Sequence, residues 1–268
     1  SLLYSEGSLG NPVEEEYMAR FLYEKALRVA RWLLEADVLG IITNHLRHGT
    51  DLLGDPSQHK WAVVLLHALL RALTPRAQNP DLTEHNAVID NVLGMPDLLR
   101  GLVVAVHRIQ VRNGHVVNEQ EWELKPLQLL WQCAKRALQN NDEQQFMALA
   151  TDNMLDTLEL VFRPQPGENS ANRFYGYRIR YNSKSLALKI VQFFSQAWSP
   201  LVRLRLLRRE LLLSVTKVSV LQLNPDSQYI EEHEAFRAMA ADVLRRLKFV
   251  SPRAEAMVNE IRGRFGQQ

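Results

Sequence analysis

The sequence predicts an all-α domain of about a dozen helices, on three observations. Leucine is abundant and β-branched runs are few, which favours helix. Apolar residues recur at spacings of three and four along most of the chain. Helix start signals (Asn-Pro, Ser-Pro, and Asp or Thr before an apolar run) punctuate it, with almost no strand signal between them.

Residues 1–10 read as a flexible lead-in, and residues 11–268 as one helical domain with a possible sub-boundary at 163–182. Asn11-Pro12 opens the first helix, with Glu14, Glu15 and Glu16 where the helix dipole favours anions. Met18, Leu22, Ala26, Val29 and Leu33 form its apolar stripe, expected to be the buried side. A second helix covers Asp37 to Arg47 and stops near Gly49. Gln58 to Leu73 is apolar on almost every side, so neighbours are expected all round it, and Thr74-Pro75 ends it.

Thr83 to Leu93 is a short helix. Asp97 is expected to cap the next, in which Leu98, Leu99, Leu102, Val103, Val106 and Ile109 keep helical spacing; Arg112-Asn113-Gly114 stops it. Pro126 opens another, with Leu127, Leu130, Trp131, Ala134 and Leu138 on one face. Two short helices follow, at about 142–150 and 152–162, and then a loop marked by Pro164, Pro166 and Gly167. Residues 173–181 read as a short extended arm or hairpin before a helix from about Ser183 to Trp198. Ser199-Pro200 starts a helix running towards Leu223, Tyr229 to Phe249 is helical, and Ser251-Pro252 opens the last, to about Phe265.

Two architectures suit such a string: a curved stack of helices, which is the first expectation, or a compact helical bundle. The apolar helices centred near residues 66 and 104 lie 38 residues apart, close to the roughly 40 of helical repeats. In this the chain resembles HEAT/armadillo-type α-helical repeat proteins. The resemblance implies an α-solenoid that serves as a partner-binding scaffold.

Composition narrows the function. Of 268 residues, 46% are hydrophobic and 23% charged, which is ordinary for a soluble globular protein. The single cysteine, Cys133, excludes an intrachain disulfide and a thiolate-rich metal site, and suits a reducing compartment, so an intracellular setting (nucleus or cytoplasm) is expected. No apolar run reaches the length of a membrane span, so no membrane partner is expected. The chain begins at Ser1, which suggests a piece of a longer protein. The dinucleotide, phosphate-loop, nucleophile-elbow and zinc-protease motifs are all absent, so neither an enzyme nor a cofactor is expected.

The net charge of +2 is unevenly spread. Residues 1–162 hold 14 Lys/Arg against 21 Asp/Glu, residues 163–217 hold 11 against 2, and residues 218–268 hold 7 of each. The basic middle contains "RFYGYRIRYNSKSLALK" (173–189), with five cations, four aromatic rings and no acid. Tyr175, Tyr177, Ile179 and Tyr181 alternate with Gly176, Arg178 and Arg180, a period of two that in an extended segment puts rings on one face and cations on the other.

Further on, "LVRLRLLRRELLL" (201–213) carries Arg203, Arg205, Arg208 and Arg209, with Leu204, Leu207 and Leu211 as its buried stripe. In one continuous helix, Arg205 and Arg209 share a face with Arg208 at its edge. The expected site is thus Arg173, Tyr175, Tyr177, Arg178, Arg180, Tyr181, Lys184, Arg205, Arg208 and Arg209. Guanidinium groups and rings of this kind suit an acidic or phosphorylated protein segment; nucleic acid is the alternative. The competing reading is that the acidic first part neutralises these arginines. Self-association through apolar or acidic faces stays open.

His45 and His48, three apart, with Asp51 near, allow a metal, but the spacing is unspecific and none is expected. His67 and His107 read as core or groove histidines, Cys133 as a small buried residue, and the tryptophans Trp32, Trp61, Trp131 and Trp198 as packing. Trp122, in a polar run, reads as a lid over the core or an exposed anchor.

Overall fold

Local signals set most helix ends. In a computed structural model, which describes residues 12–48, 56–74, 81–112, 124–162, 173–220 and 230–265, thirteen helices and no strand are found among the described residues. They are α1 (Pro12–Glu35), α2 (Val38–His48), α3 (Pro56–Leu73), α4 (Thr83–Leu93), α5 (Pro96–Arg112), α6 (Lys125–Asn140), α7 (Glu143–Leu149), α8 (Asp152–Phe162), α9 (Arg173–Gln196), α10 (Pro200–Arg205), α11 (Arg209–Ser219), α12 (Ile230–Lys248) and α13 (Pro252–Phe265).

Asp142 caps α7, its carboxylate accepting from the Gln144 and Gln145 amides. Thr151 Oγ1 accepts from the Met154 amide at 3.3 Å to start α8, and Ser251 Oγ from the Ala254 amide at 3.1 Å to start α13. The other Ser-Pro pair behaves differently: Ser199 makes no cap, and its hydroxyl donates across to Glu143 at the start of α7. α6 ends on Asn141, a left-handed residue at φ 53° that closes the last turn. Asp97 is no cap, because α5 already begins at Pro96 and leaves Asp97 in the first turn, where its charge suits the dipole.

The helices stack in three interleaved series. α2 packs on α5, α5 on α8, and α8 on α11. α3 packs on α6, α6 on α9, and α9 on α12. The short helices α4, α7 and α10 form the third series. Each member of the first series also lies against its sequence neighbour in the second: α2 on α3, α5 on α6, α8 on α9, α11 on α12. α1 covers α2 and α3 at one end, and α13 covers α11 and α12 at the other. Among the described residues, no helix packs substantially on one more than three places away in chain order.

The core is continuous along this arrangement, from Ile42 and Leu46 through Leu66, Leu102, Leu130, Leu158, Phe194 and Val215 to Leu244 and Val258. Where α2 crosses α5 the helices come so close that a Cβ on Gly101 would lie 2.5 Å from the Leu46 Cβ. Gly101→Ala therefore forces the two backbones apart and should cost about 1–3 kcal/mol despite alanine's better helix propensity. A urea titration checks this; a gain in stability would mean the crossing is not the tight contact described.

The sequence expectations need correction at several points. Residues 173–181 are not an extended arm but the first turns of α9. Extending a helix already nucleated against α6, α8 and α12 takes one hydrogen bond per residue, and the alternation of rings and arginines does not outweigh that. The run from Pro200 is two helices, not one: Leu206 turns fully inward, and Arg208 adopts an extended backbone (φ −98°, ψ 131°) before α11. Arg205 and Arg209 thus lie on different helices, and Leu204 of the expected stripe is exposed.

In α1 the expected buried stripe faces outward: Leu22, Ala26 and Val29 are exposed, whereas Tyr23 and Ala30 on the opposite side are buried. α1 is apolar on two sides, and spacing cannot tell which one finds a neighbour. α3 is not covered all round either, since Trp61, Leu65 and Ala68 form an open line at helical spacing. Trp32 (65% exposed), Trp61 (72%) and Trp198 (56%) are surface residues and not packing. His107 is exposed, while Cys133 is buried as expected, with its thiol pushed up to about 12 by burial and therefore unreactive.

Candidate functional site

Arg173, Tyr175, Tyr177, Arg178, Arg180 and Tyr181 all belong to the first turns of α9; their side chains lie outside the described residues. Lys184, one turn further, is half-buried. As helix residues, the rings and cations cannot segregate into two faces, because neighbours on a helix are three and four apart and not two.

The downstream arginines are engaged by the chain itself. Arg205 donates to the Ala150 carbonyl at 2.8 Å, satisfying the open end of α7. Arg208 reaches α8, where its Nε lies 2.9 Å from Glu159 Oε1, its Nη2 bonds Asp156 and its Nη1 donates to the Asp152 carbonyl at 3.3 Å. Arg209 sits 3.7 Å from Glu260, and both are more than half exposed, so that pair is worth little. Arg203 donates to the Trp198 carbonyl at 3.2 Å. Here the acidic first part does supply counter-charge to the basic middle.

A different basic and aromatic cluster lies between α6 and α9. Lys135 Nζ and Lys189 Nζ each lie 5.8 Å from the centroid of the Trp131 ring, within the range of cation–π attraction. The two ammonium groups are thus no more than twice that distance apart. Lys135 is one helical turn from Trp131 on α6, and Lys189 comes from α9, which packs on α6. Neither lysine has a carboxylate partner among the described residues. The Trp131 Nε1–H is buried and donates to no acceptor among the described residues.

His85 of α4, which packs on α6, borders this cluster. It is buried, with Nδ1 unpartnered, and its protonation is pushed below the usual imidazole range by burial, with the Lys135 charge adding to the effect. The unfolded imidazole takes a proton near its ordinary value of about 6.5, while the native one resists. Stability should therefore fall as pH drops below about 6.5, by up to about 1.4 kcal/mol per unit, and level off below the native value. Comparing urea midpoints at pH 8 and 5.5 for the wild type and His85→Gln measures this; an equal acid loss in both would assign the effect to other groups. Asp90, held low by its bidentate contact with Arg136 (2.6 and 2.9 Å), loses its contribution only at lower pH, below about 4.

Between α2 and α3 lies an apolar cavity of about 280 Å³, lined by Ile41, Ile42, His45, Trp61, Ala62 and Leu65. His45 faces this groove. His48's side chain, Asp51 and Trp122 lie outside the described residues. Among the described residues no three His, Cys, Asp or Glu side chains converge as a metal site would require, and no helix is long and apolar enough to cross a membrane.

Sequence reasoning missed the cluster on Trp131. The Trp131–Lys135 spacing was readable, but Lys189 arrives only through the packing of α9 on α6. No family model, no curated protein and no solved structure matches the chain.

Proposed function

We propose that this chain is a non-enzymatic interaction scaffold that docks an acidic or phosphorylated segment of another protein on α6 and α9, beside Trp131. The observation that carries this is the placement of Lys135 and Lys189 on one tryptophan ring with no carboxylate partner among the described residues. A free lysine loses up to about 2 kcal/mol of rotamer freedom when it is fixed by a ligand. Here the ring holds both lysines beforehand, which lowers that cost and leaves more of the charge attraction for binding. A phosphoserine, with three acceptor oxygens and close to two negative charges, suits such a pair.

The three series of stacked helices support a solenoid of the armadillo kind, with α1–α3, α4–α6, α7–α9 and α10–α12 as successive units and packing confined to near neighbours. In that arrangement α6 and α9 occupy the same place in consecutive units, and an extended segment lying across them would meet Lys135 and Lys189 in turn. A protein segment suits this surface better than nucleic acid. Two cations would give only a shallow salt dependence, and the formal −7 of residues 1–162 repels a long polyanion.

Fluorescence anisotropy with labelled glutamate-rich and phosphoserine peptides, beside a single-stranded oligonucleotide, tests the proposal. Lys135→Glu/Lys189→Glu should weaken peptide binding about tenfold or more; Lys135 is exposed and Lys189 half-buried, so a circular dichroism spectrum of the variant accompanies the titration to check that the fold is kept. Peptide affinity untouched by the double change would refute the site. Tight oligonucleotide binding with a steep salt slope would move the reading to nucleic acid.

A further inference from the structure

We infer that two copies of this chain associate through their α1 helices, laid antiparallel. Seven of the thirteen large apolar side chains exposed among the described residues belong to α1, α2 and α3, and four of them, Phe21, Leu22, Val29 and Trp32, share the outward side of α1. Leu22, Lys25, Val29 and Trp32 follow one another at spacings of three, four and three, the seam that two packed helices use. The cation in that seam does not spoil it. Lys25 Nζ lies 4.3 Å from the centroid of the Phe21 ring, so its charge is drawn aside while its aliphatic stem remains in line.

The charges beside the seam specify the occupant. Arg28 and Glu35 are exposed, stand seven residues apart on the same flank, and have no ion-pair partner among the described residues. The nearby Arg20 and Arg31 differ, being paired with Glu24 and Glu84. The opposite flank carries Ala26 and Leu33, which have no charge to offer. In an antiparallel pair about a two-fold axis each flank meets its own copy running backwards. Arg28 then faces Glu35 of the second copy, and Glu35 faces the second copy's Arg28, so both charges are matched at once. A parallel pair would set this flank against Ala26 and Leu33 and match neither. The axis falls between residues 28 and 35, so the two α1 helices, which end at Glu35, overlap along that stretch, with Val29 and Trp32 of both copies at the centre, where a tryptophan contributes most to an interface, and Phe21 and Leu22 at its edge.

Sedimentation equilibrium of the full chain reads the outcome. The wild type should be dimeric by about 100 µM, and Trp32→Glu should be monomeric with an unchanged helical circular dichroism spectrum. Arg28→Glu should weaken the dimer about tenfold, and adding Glu35→Arg should restore it, because the pairs re-form with their signs exchanged. A wild type that stays monomeric at that concentration overturns the inference, as would be the case if another protein covered this side. So does a dimer indifferent to Trp32→Glu, or a double exchange that fails to rescue. None of these readouts depends on the α6–α9 surface.

Discussion

Replacing Arg208 with alanine should lower the stability of the domain by about 3 kcal/mol. The reason is what the arginine leaves behind. Glu159 sits on α8 with a side chain only 10% exposed, and Arg208 Nε lies 2.9 Å from its carboxylate. Removing the guanidinium takes a close counter-charge from a carboxylate in a low-dielectric place, and the same side chain also serves Asp156 and the Asp152 carbonyl. Two controls separate this from a generic loss of charge. Arg209→Ala removes a pair at 3.7 Å in which both partners face solvent, and should cost under about 0.5 kcal/mol. Adding Glu159→Gln to Arg208→Ala should recover part of the loss, since an amide tolerates burial better than a carboxylate that has lost the Arg208 charge. Urea midpoints for the four proteins decide the matter; a loss no larger than that of Arg209→Ala would show that solvent screens the pair.

Phe194→Ala should cost about 3–5 kcal/mol. Phe194 lies in α9 and Phe146 in α7; both are fully buried, and their rings meet edge to face, with centroids 6.1 Å apart at 79°. The truncation removes buried ring surface, leaves a cavity that rigid helices on every side cannot close, and takes away the edge-to-face attraction. Phe194→Leu keeps most of the volume and should lose well under half as much. If alanine and leucine cost the same, the neighbouring helices collapse into the space and the core is softer than its packing indicates.

Helix placement was largely written in the sequence, because its determinants are local. The buried apolar positions of α5 and α6, the Asp142, Thr151 and Ser251 caps and the Pro12, Pro200 and Pro252 starts all depend on residues within a few positions of one another. Two errors share one cause. The outward side of α1 and the extended reading of 173–181 turned on which neighbours a segment acquires, and a pattern of spacing is silent on that. The break at Leu206–Arg208 had the same origin, since only the distant α8 gives Arg208 a reason to leave the helix. The cluster on Trp131 could not be read from spacing, because it joins two helices distant in the chain. Lys189 stood within the basic stretch that drew attention, and its partner Trp131 stood outside it.

Among the described residues, packing that does not reach substantially past the third helix has a mechanical consequence. A chain held in this way has no single clasp joining its two ends. Under tension applied at the termini, the outermost helices carry the load first and peel from α2 and α3, or from α11 and α12, while the middle stays intact. Each detachment lengthens the molecule and passes the force to the next few helices, so extension proceeds as a succession of small yields in place of one large rupture. The surface proposed on α6 and α9 lies in the part of the chain that this order of yielding strains last.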